Sequence, residues 1–406
     1  MSAIAPHTER LHHIDGLRGF AAFVVLLWHA TVVFFPAIAF GKLTSVSQPF
    51  EINLSKSPLT FFISGTFAVA CFFVISGYVL TISYLRHGDI AKLTDTAIAR
   101  FPRLFLPAAF STMLMFALLW FDSSKSVPGL LAATGTSELI ASNPLNLTAN
   151  SRSLINNIFW LPWFELPDPR RFYSGVLWTM SIELWCSLIV MGLAVLVRGR
   201  RAAAILVLAI ALVFIHIAHG YGIYMATFFV GTAIAVIDPK PVSGLPAKML
   251  LVLLLLIGIW AAGYTGIGWT KPLSKLHFTS KSFDYGIFVK SVGAILIFVC
   301  VLYLDILARL LSSSPFRFLG RISFSLYLCH VLVIVLAGLL VFAVLGTGTP
   351  LNVRCLIAFV VAVTASLASS IVVMRFIDEP SIWVSRYIAR VALRHQAKPE
   401  TALQHK

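Results

Sequence analysis

The chain has 406 residues, of which 59% are hydrophobic and only 12% charged, and its mean hydropathy is +0.90. A soluble globule of this length has too little interior for that much apolar surface, and disorder needs the opposite composition, so the fold class expected is an all-α polytopic membrane protein. The formal charge of +15, from 31 Lys and Arg against 16 Asp and Glu, would point to nucleic acid in a soluble protein; here the charges fall between apolar runs and read as a topology signal, so no nucleic-acid partner is expected.

A bilayer core takes about 20 apolar residues per helix. In chain order the sequence predicts ten such runs: Gly16–Phe40, Phe61–Leu85, Arg103–Phe121, Gly175–Val197, Ala202–His219, Ile223–Ile237, Lys248–Tyr264, Gly286–Ala308, Ile322–Leu345 and Val353–Ile377. Only the polar head Met1–His13 precedes the first, which lacks a small-residue cleavage site and is read as a retained helix. The fifth and sixth runs are separated only by Gly220–Tyr221–Gly222. Ten crossings put both termini on one side. That side holds 20 of the 31 basic residues, so a bundle of about ten transmembrane helices with N and C termini cytoplasmic is expected. The longest connection, Asp122–Ser174, carries the aromatic stretch Phe159–Phe164, which suits either the membrane interface or stacking on a sugar ring. Asn146–Leu147–Thr148 is a glycosylation pattern of little weight here. The five cysteines all lie inside apolar runs without CxxC spacing, which predicts neither disulfides nor a metal site.

Ionisable residues inside membrane helices are costly and point to function. Few qualify: Arg18 and His29 in the first run with Asp15 at its mouth, Glu183 in the fourth, and His330 in the ninth. Arg18 and His29 are eleven residues apart, about three turns and ~16 Å along one face. One reading is a long substrate, anionic at one end and reactive at the other, as an acyl-coenzyme A is; the other is an arginine snorkelling to lipid phosphate and a packed polar histidine. Gly77 and Ser76 suit close helix contact.

Ile14–Asp15–Gly16–Leu17–Arg18–Gly19–Phe20 followed by Trp28–His29 resembles the opening of the acyltransferase-3 family of integral-membrane acyltransferases, marked by an Arg, ten residues and a His. The ordered set continues with Cys71–Leu80, with Arg100–Phe101–Pro102–Arg103 as an Arg-x-x-Arg, and with Leu177–Trp178–Thr179–Met180–Ser181–Ile182–Glu183. It closes with Gly320–His330 and the acidic turn Asp378–Glu379–Pro380. Two details depart from the family pattern: Val331–Leu332 follows the late His, and Pro102 lies inside the Arg-x-x-Arg.

The resemblance implies an acyltransferase-3-type transmembrane domain over 1–377 and a basic cytoplasmic tail over 378–406, without the appended esterase-like domain that some members carry. It implies an integral, multi-pass protein of a plasma membrane, such as the bacterial inner membrane. The partners expected are the lipid bilayer, acyl-coenzyme A (acetyl-coenzyme A) as co-substrate, and a saccharide acceptor, with no tightly bound cofactor and no metal. The activity expected is transfer of an acyl group, acetyl above all, to a saccharide hydroxyl. A macrolide-like small-molecule acceptor and a saccharide or acid exporter are the alternatives, although no internal repeat of the transporter kind is seen. The catalytic candidates are His29, as general base or transient acyl carrier, and Glu183, to orient it or bond the acceptor. Arg18, Arg100 and Arg103 are the candidate phosphate clamp. Asp15, Ser181, Tyr327 and His330 are candidate cavity-lining residues, with core packing the other reading for Tyr327 and His330 and a structural role for Ser181.

Overall fold

The computed structural model describes residues 11–122, 126–139, 150–165, 171–217, 219–238, 244–276 and 283–396. Ten apolar helices follow one another in these segments: α1 (His12–Phe34), α2 (Gly65–His87), α3 (Ile90–Phe121), α4 (Thr179–Val197), α5 (Ala204–Ile217), α6 (His219–Ile237), α7 (Leu245–Ala262), α8 (Tyr285–Tyr303), α9 (Ser314–Leu345) and α10 (Leu351–Val373). Among the described residues eight of these are long and apolar enough to cross a membrane; α5 and the apolar stretch 221–237 of α6 are shorter. Each corresponds to one of the ten apolar runs. The protein is an integral, multi-pass membrane protein.

The helix ends differ from the runs where polar caps and prolines act. Pro36 cannot continue α1, so the chain breaks at Phe35 and a short separate helix, Pro36–Phe40, follows. The third helix begins thirteen residues before its apolar run, at Ile90, because Asp89 caps it by accepting from the Lys92 amide at 2.9 Å. It then runs through Pro102 and Pro107. The Arg-x-x-Arg therefore lies inside a helix and not at its start. Beyond α10 the chain makes one π-helical turn, Met374–Asp378, and enters α11 (Glu379–Gln396), which lies against α3. The segment expected as a tail is thus, up to Gln396, a packed helix.

Without a hydrophobic drive between helices in lipid, close contact relies on small residues. α1 packs against α2, α9 and α10. A methyl on Gly19 would fall 2.2 Å from the Gly320 amide nitrogen, and one on Gly320 would fall 2.4 Å from the Asp15 carbonyl oxygen. The α2–α6 contact is built the same way: Gly77 abuts the Phe228 carbonyl, Gly231 abuts the Val74 carbonyl, and Thr232 donates to the Gly77 carbonyl at 3.2 Å.

The aromatic stretch is divided: Phe159, Trp160 and Phe164 are exposed, whereas Trp163 turns inward. The helical segment 151–164 dips along α3 beside α4. At its middle, Asn157 accepts from the amide of Tyr173, which follows the segment, at 3.1 Å, and the Tyr173 ring meets Phe116. Farther on, Trp163 meets Phe105 and Phe101, which lie eleven and fifteen residues, ~16 and ~22 Å, from Phe116 along α3. Trp163 is fully buried and its carbonyl accepts from the Trp185 indole at 2.6 Å. This segment walls the bundle at the depth of Arg103. Asn146–Leu147–Thr148 lies outside the described residues.

Candidate active site

Four arginines from three helices meet at the end of the bundle that carries the start of α1. Arg18 comes from α1, Arg100 and Arg103 from α3, and Arg321 from α9; with Glu183, Asp378 and Glu379 they line a cavity of about 550 Å³. The α helix brings Arg100 and Arg103 to one face, one turn apart. Each then finds a different carboxylate. Arg100 pairs with Glu183 of α4 and donates through Nε to Ser187 at 3.1 Å, while Ser76 of α2 donates to Glu183 Oε1 at 2.9 Å. Arg103 pairs with Asp378 of the π-helical turn and lies over the Phe324 ring at 5.1 Å. Asp378 is buried, and the π-helical turn is what re-aims it toward α3. Two charges taken out of water are stable only when paired and hydrogen-bonded, and both of these pairs are.

Arg18 is different. It keeps 44% of its side chain exposed and, among the described residues, its ion pair is within its own helix, with Asp15 at 3.2 Å. Beside it a second depression of about 370 Å³ is lined by His12, Asp15, Arg317 and Arg321. Among the described residues neither Arg317 nor Arg321 has an ion-pair partner. The mouth therefore holds cations able to receive phosphate oxygens without first breaking a buried pair.

The deep end of the cavity is closed by Phe72 and Tyr327, whose rings meet edge to face at 5.8 Å. The Tyr327 hydroxyl donates to the Val176 carbonyl at 2.8 Å and shares a 2.9 Å hydrogen bond with Thr179. Behind it lie His330, fully buried, and His29, partly accessible. The two rings sit with centroids 4.8 Å apart, and His330 Nε2 is 3.1 Å from His29 Nδ1. His29 Nδ1 also faces the Val25 carbonyl at 3.0 Å, and His330 Nδ1 faces the Leu326 carbonyl at 2.9 Å.

Arg18 and His29 share the uninterrupted α1, so the ~16 Å spacing along one face stands. The partner of His29 is His330, while Glu183, one turn from Thr179, is engaged by Arg100 and Ser76. The sequence offers Glu183 as the group that orients the imidazole; the described hydrogen bonds give that contact to His330. Ser181 is buried and does not line the cavity, whereas Thr179, Met180 and Glu183 do. Asp15 lines the mouth and Tyr327 the deep end.

The arginine-lined cavity and the two histidines behind its closed end coincide with the ordered motifs. Residues 11–374, nearly the whole helical bundle, match the acyltransferase domain that defines the Acyl_transf_3 family. The chain belongs to the acyltransferase-3 family. Among curated proteins, this acyltransferase-3 chain is 24% identical to acyltransferase clz18 of Cochliobolus lunatus over 91% of its own length and 93% of the relative's. It is 26% identical to the putative peptidoglycan O-acetyltransferase YrhL of Bacillus subtilis (strain 168), over 82% of this chain and 50% of that one. It is also 26% identical to the O-acetyltransferase PaAT-1 of Phomopsis amygdali, over 44% of this chain and 39% of that protein. No solved structure matches the chain.

Membership makes the protein a membrane acyltransferase and leaves donor and acceptor to the site. Two acyltransferase-3 site features do not stand out in the sequence. Arg321 counts there only as a topological charge, although its place beside Gly320, which touches α1, marks it as facing the cavity. Asp378 reads as a turn residue, and nothing local shows that it returns to Arg103, 275 residues earlier.

Proposed function

We propose that this acyltransferase-3 protein moves an acetyl group from acetyl-coenzyme A to a hydroxyl of a saccharide. The observation that carries the reading is the Arg18-to-His29 line on α1, with a cavity that gathers Arg100, Arg103 and Arg321 around its charged end. The donor's phosphates sit at the arginine mouth, on the cytoplasmic side by the charge asymmetry of the loops. Its pantetheine arm, of roughly the ~16 Å span between the two residues, runs past Phe72 and Tyr327 and carries the thioester toward His29. The acceptor hydroxyl arrives from the other side.

An alcohol oxygen attacks a thioester once its proton is taken. His29 takes that proton as general base while the oxygen adds to the thioester carbonyl. The carbon–sulfur bond then breaks, the thiolate leaves, and the proton on His29 passes to it. The products are the acetyl ester and free coenzyme A; atoms and charge balance without metal or redox partner. The relatives whose names carry O-acetyltransferase support the choice of acetyl and of a hydroxyl acceptor. The name that includes peptidoglycan supports a saccharide.

The test uses purified wild type and His29→Ala with radiolabelled acetyl-coenzyme A, with and without a surface-glycan extract, and reads free coenzyme A and labelled ester. Release that requires both the glycan and His29 is expected. Label transfer undiminished in His29→Ala would overturn the assignment of the base. Donor binding with ester formed only on a small alcohol would overturn the saccharide.

A further inference from the structure

The histidine contacts fix which nitrogens carry protons. A backbone carbonyl only accepts, so His330 Nδ1, 2.9 Å from the Leu326 carbonyl, carries its ring's proton. A neutral His330 then offers a lone pair at Nε2. His29 Nδ1 lies 3.0 Å from the Val25 carbonyl and 3.1 Å from that Nε2. Both are acceptors, so His29 Nδ1 also carries a proton and shares it between them. The reverse arrangement, with a proton on His330 Nε2 pointing at His29, would set a bare His29 Nδ1 lone pair against the Val25 carbonyl oxygen. One tautomer of each ring satisfies all three contacts.

We propose that His330 is a positioning residue for the transfer reaction: it accepts the Nδ1 proton of His29 and so holds His29 Nε2 bare as the base. This rests on the reading of His29 as the base and adds the group that keeps it in the competent tautomer. It is the task a buried carboxylate performs beside the histidine of a Ser-His-Asp triad, done here by a neutral ring. Among the described residues no carboxylate is hydrogen-bonded to either histidine. When Nε2 takes the acceptor's proton, the Nδ1–H of the imidazolium still points at two acceptors and the ring need not turn. The acceptors are neutral, so the proton is held loosely and is returned to the leaving thiolate.

The contact between the two rings is built by the helix packing below it. Gly19 meets Gly320 and His29 meets His330 at the same offset of 301 residues, ten residues farther along each helix. The side-by-side pair α1 and α9 is thus locked at its glycines ~15 Å from the rings. The i−4 carbonyls then aim each ring from its own helix.

Kinetics of three variants test the proposal. His330→Phe keeps a buried ring and removes the acceptor; kcat is expected to fall ~100-fold, with KM for acetyl-coenzyme A within about twofold of wild type. His330→Gln, whose Oε1 can stand where Nε2 stood, is expected to regain about tenfold of that loss. Equal activity of the two variants, at whatever level, overturns the proposal. A measurement on the unaltered sequence guards against misfolding. Solid-state NMR of ¹⁵N-histidine-labelled protein in lipid, assigned by difference against His29→Gln, is expected to show Nδ1 protonated and Nε2 bare for His29; a His29 protonated at Nε2 overturns it. The two readings fail separately. Activity retained in His29→Ala removes the base itself, whereas an inactive His29→Ala beside a wild-type-like His330→Phe removes only the positioning role.

Discussion

The two ends of the cavity solve opposite problems. Among the arginines, Arg100 and Arg103 are each held by a carboxylate from another part of the chain, and Arg18 and Arg321 line the cavity while remaining exposed. Behind the deep end, past Phe72 and Tyr327, two histidine rings are held by the carbonyls of their own helices and by each other. A polyanion is gripped by cations with access to water, where it can also be released. A hydroxyl is activated best where water is excluded and a neutral base waits in a fixed orientation. Under the proposed function the distance between the ends separates binding from chemistry, and that proposal predicts that substitutions at the two ends fall on different kinetic constants.

The largest effect should come from the deep end. His29→Ala removes the proposed base, and kcat for ester formation should drop ~10³-fold while acetyl-coenzyme A still binds, as read by labelled-donor binding beside turnover. A variant that lost binding and turnover together would merge the two ends into one function. Next comes the spacer between them. Gly19→Ala puts a methyl 2.2 Å from the Gly320 nitrogen. It should cost about 1–3 kcal/mol of stability and, by moving the rings apart, up to ~100-fold in kcat. Thermal unfolding in detergent and steady-state kinetics check the two parts.

At the mouth, Arg18→Ala should raise KM for the donor by about tenfold with kcat nearly unchanged, because it removes one charge-assisted contact to a group that does not react. A fall in kcat instead would place Arg18 in the chemistry. Arg321→Ala is expected to be the mildest, a few-fold rise in KM that shrinks as salt is added, since an exposed charge is screened. Donor titrations at low and high ionic strength separate these last two.

Much of the fold is legible in the amino-acid sequence. The ten runs predict the ten helices, because a bilayer demands length and hydropathy that a single sequence displays openly. The face shared by Arg18 and His29 follows from helical periodicity. Other features are hidden. The apolar run begins only at Arg103, just after Pro102, yet α3 starts at Ile90 and runs through that proline, which a membrane helix tolerates better than a soluble one. The stretch Phe159–Phe164 reads as interfacial or as a sugar-stacking surface; Phe159, Trp160 and Phe164 are exposed, while Trp163 alone of the four is buried, at the depth of the arginines. Aromatic composition alone does not distinguish a ring facing headgroups from one facing a helix.

The sequence by itself determined what is local: the membrane solvent, the number of helices, the charge asymmetry of their ends, and the line of Arg18 and His29 along one of them. Only the tertiary structure decided the pairs. Glu183 goes to Arg100, Asp378 to Arg103, and His330 to His29 across 301 residues of sequence. Periodicity sets which way a side chain leaves its own helix; which neighbour it meets depends on how glycines such as Gly19 and Gly320 let two helices approach. That is a property of the packed bundle and of no one segment.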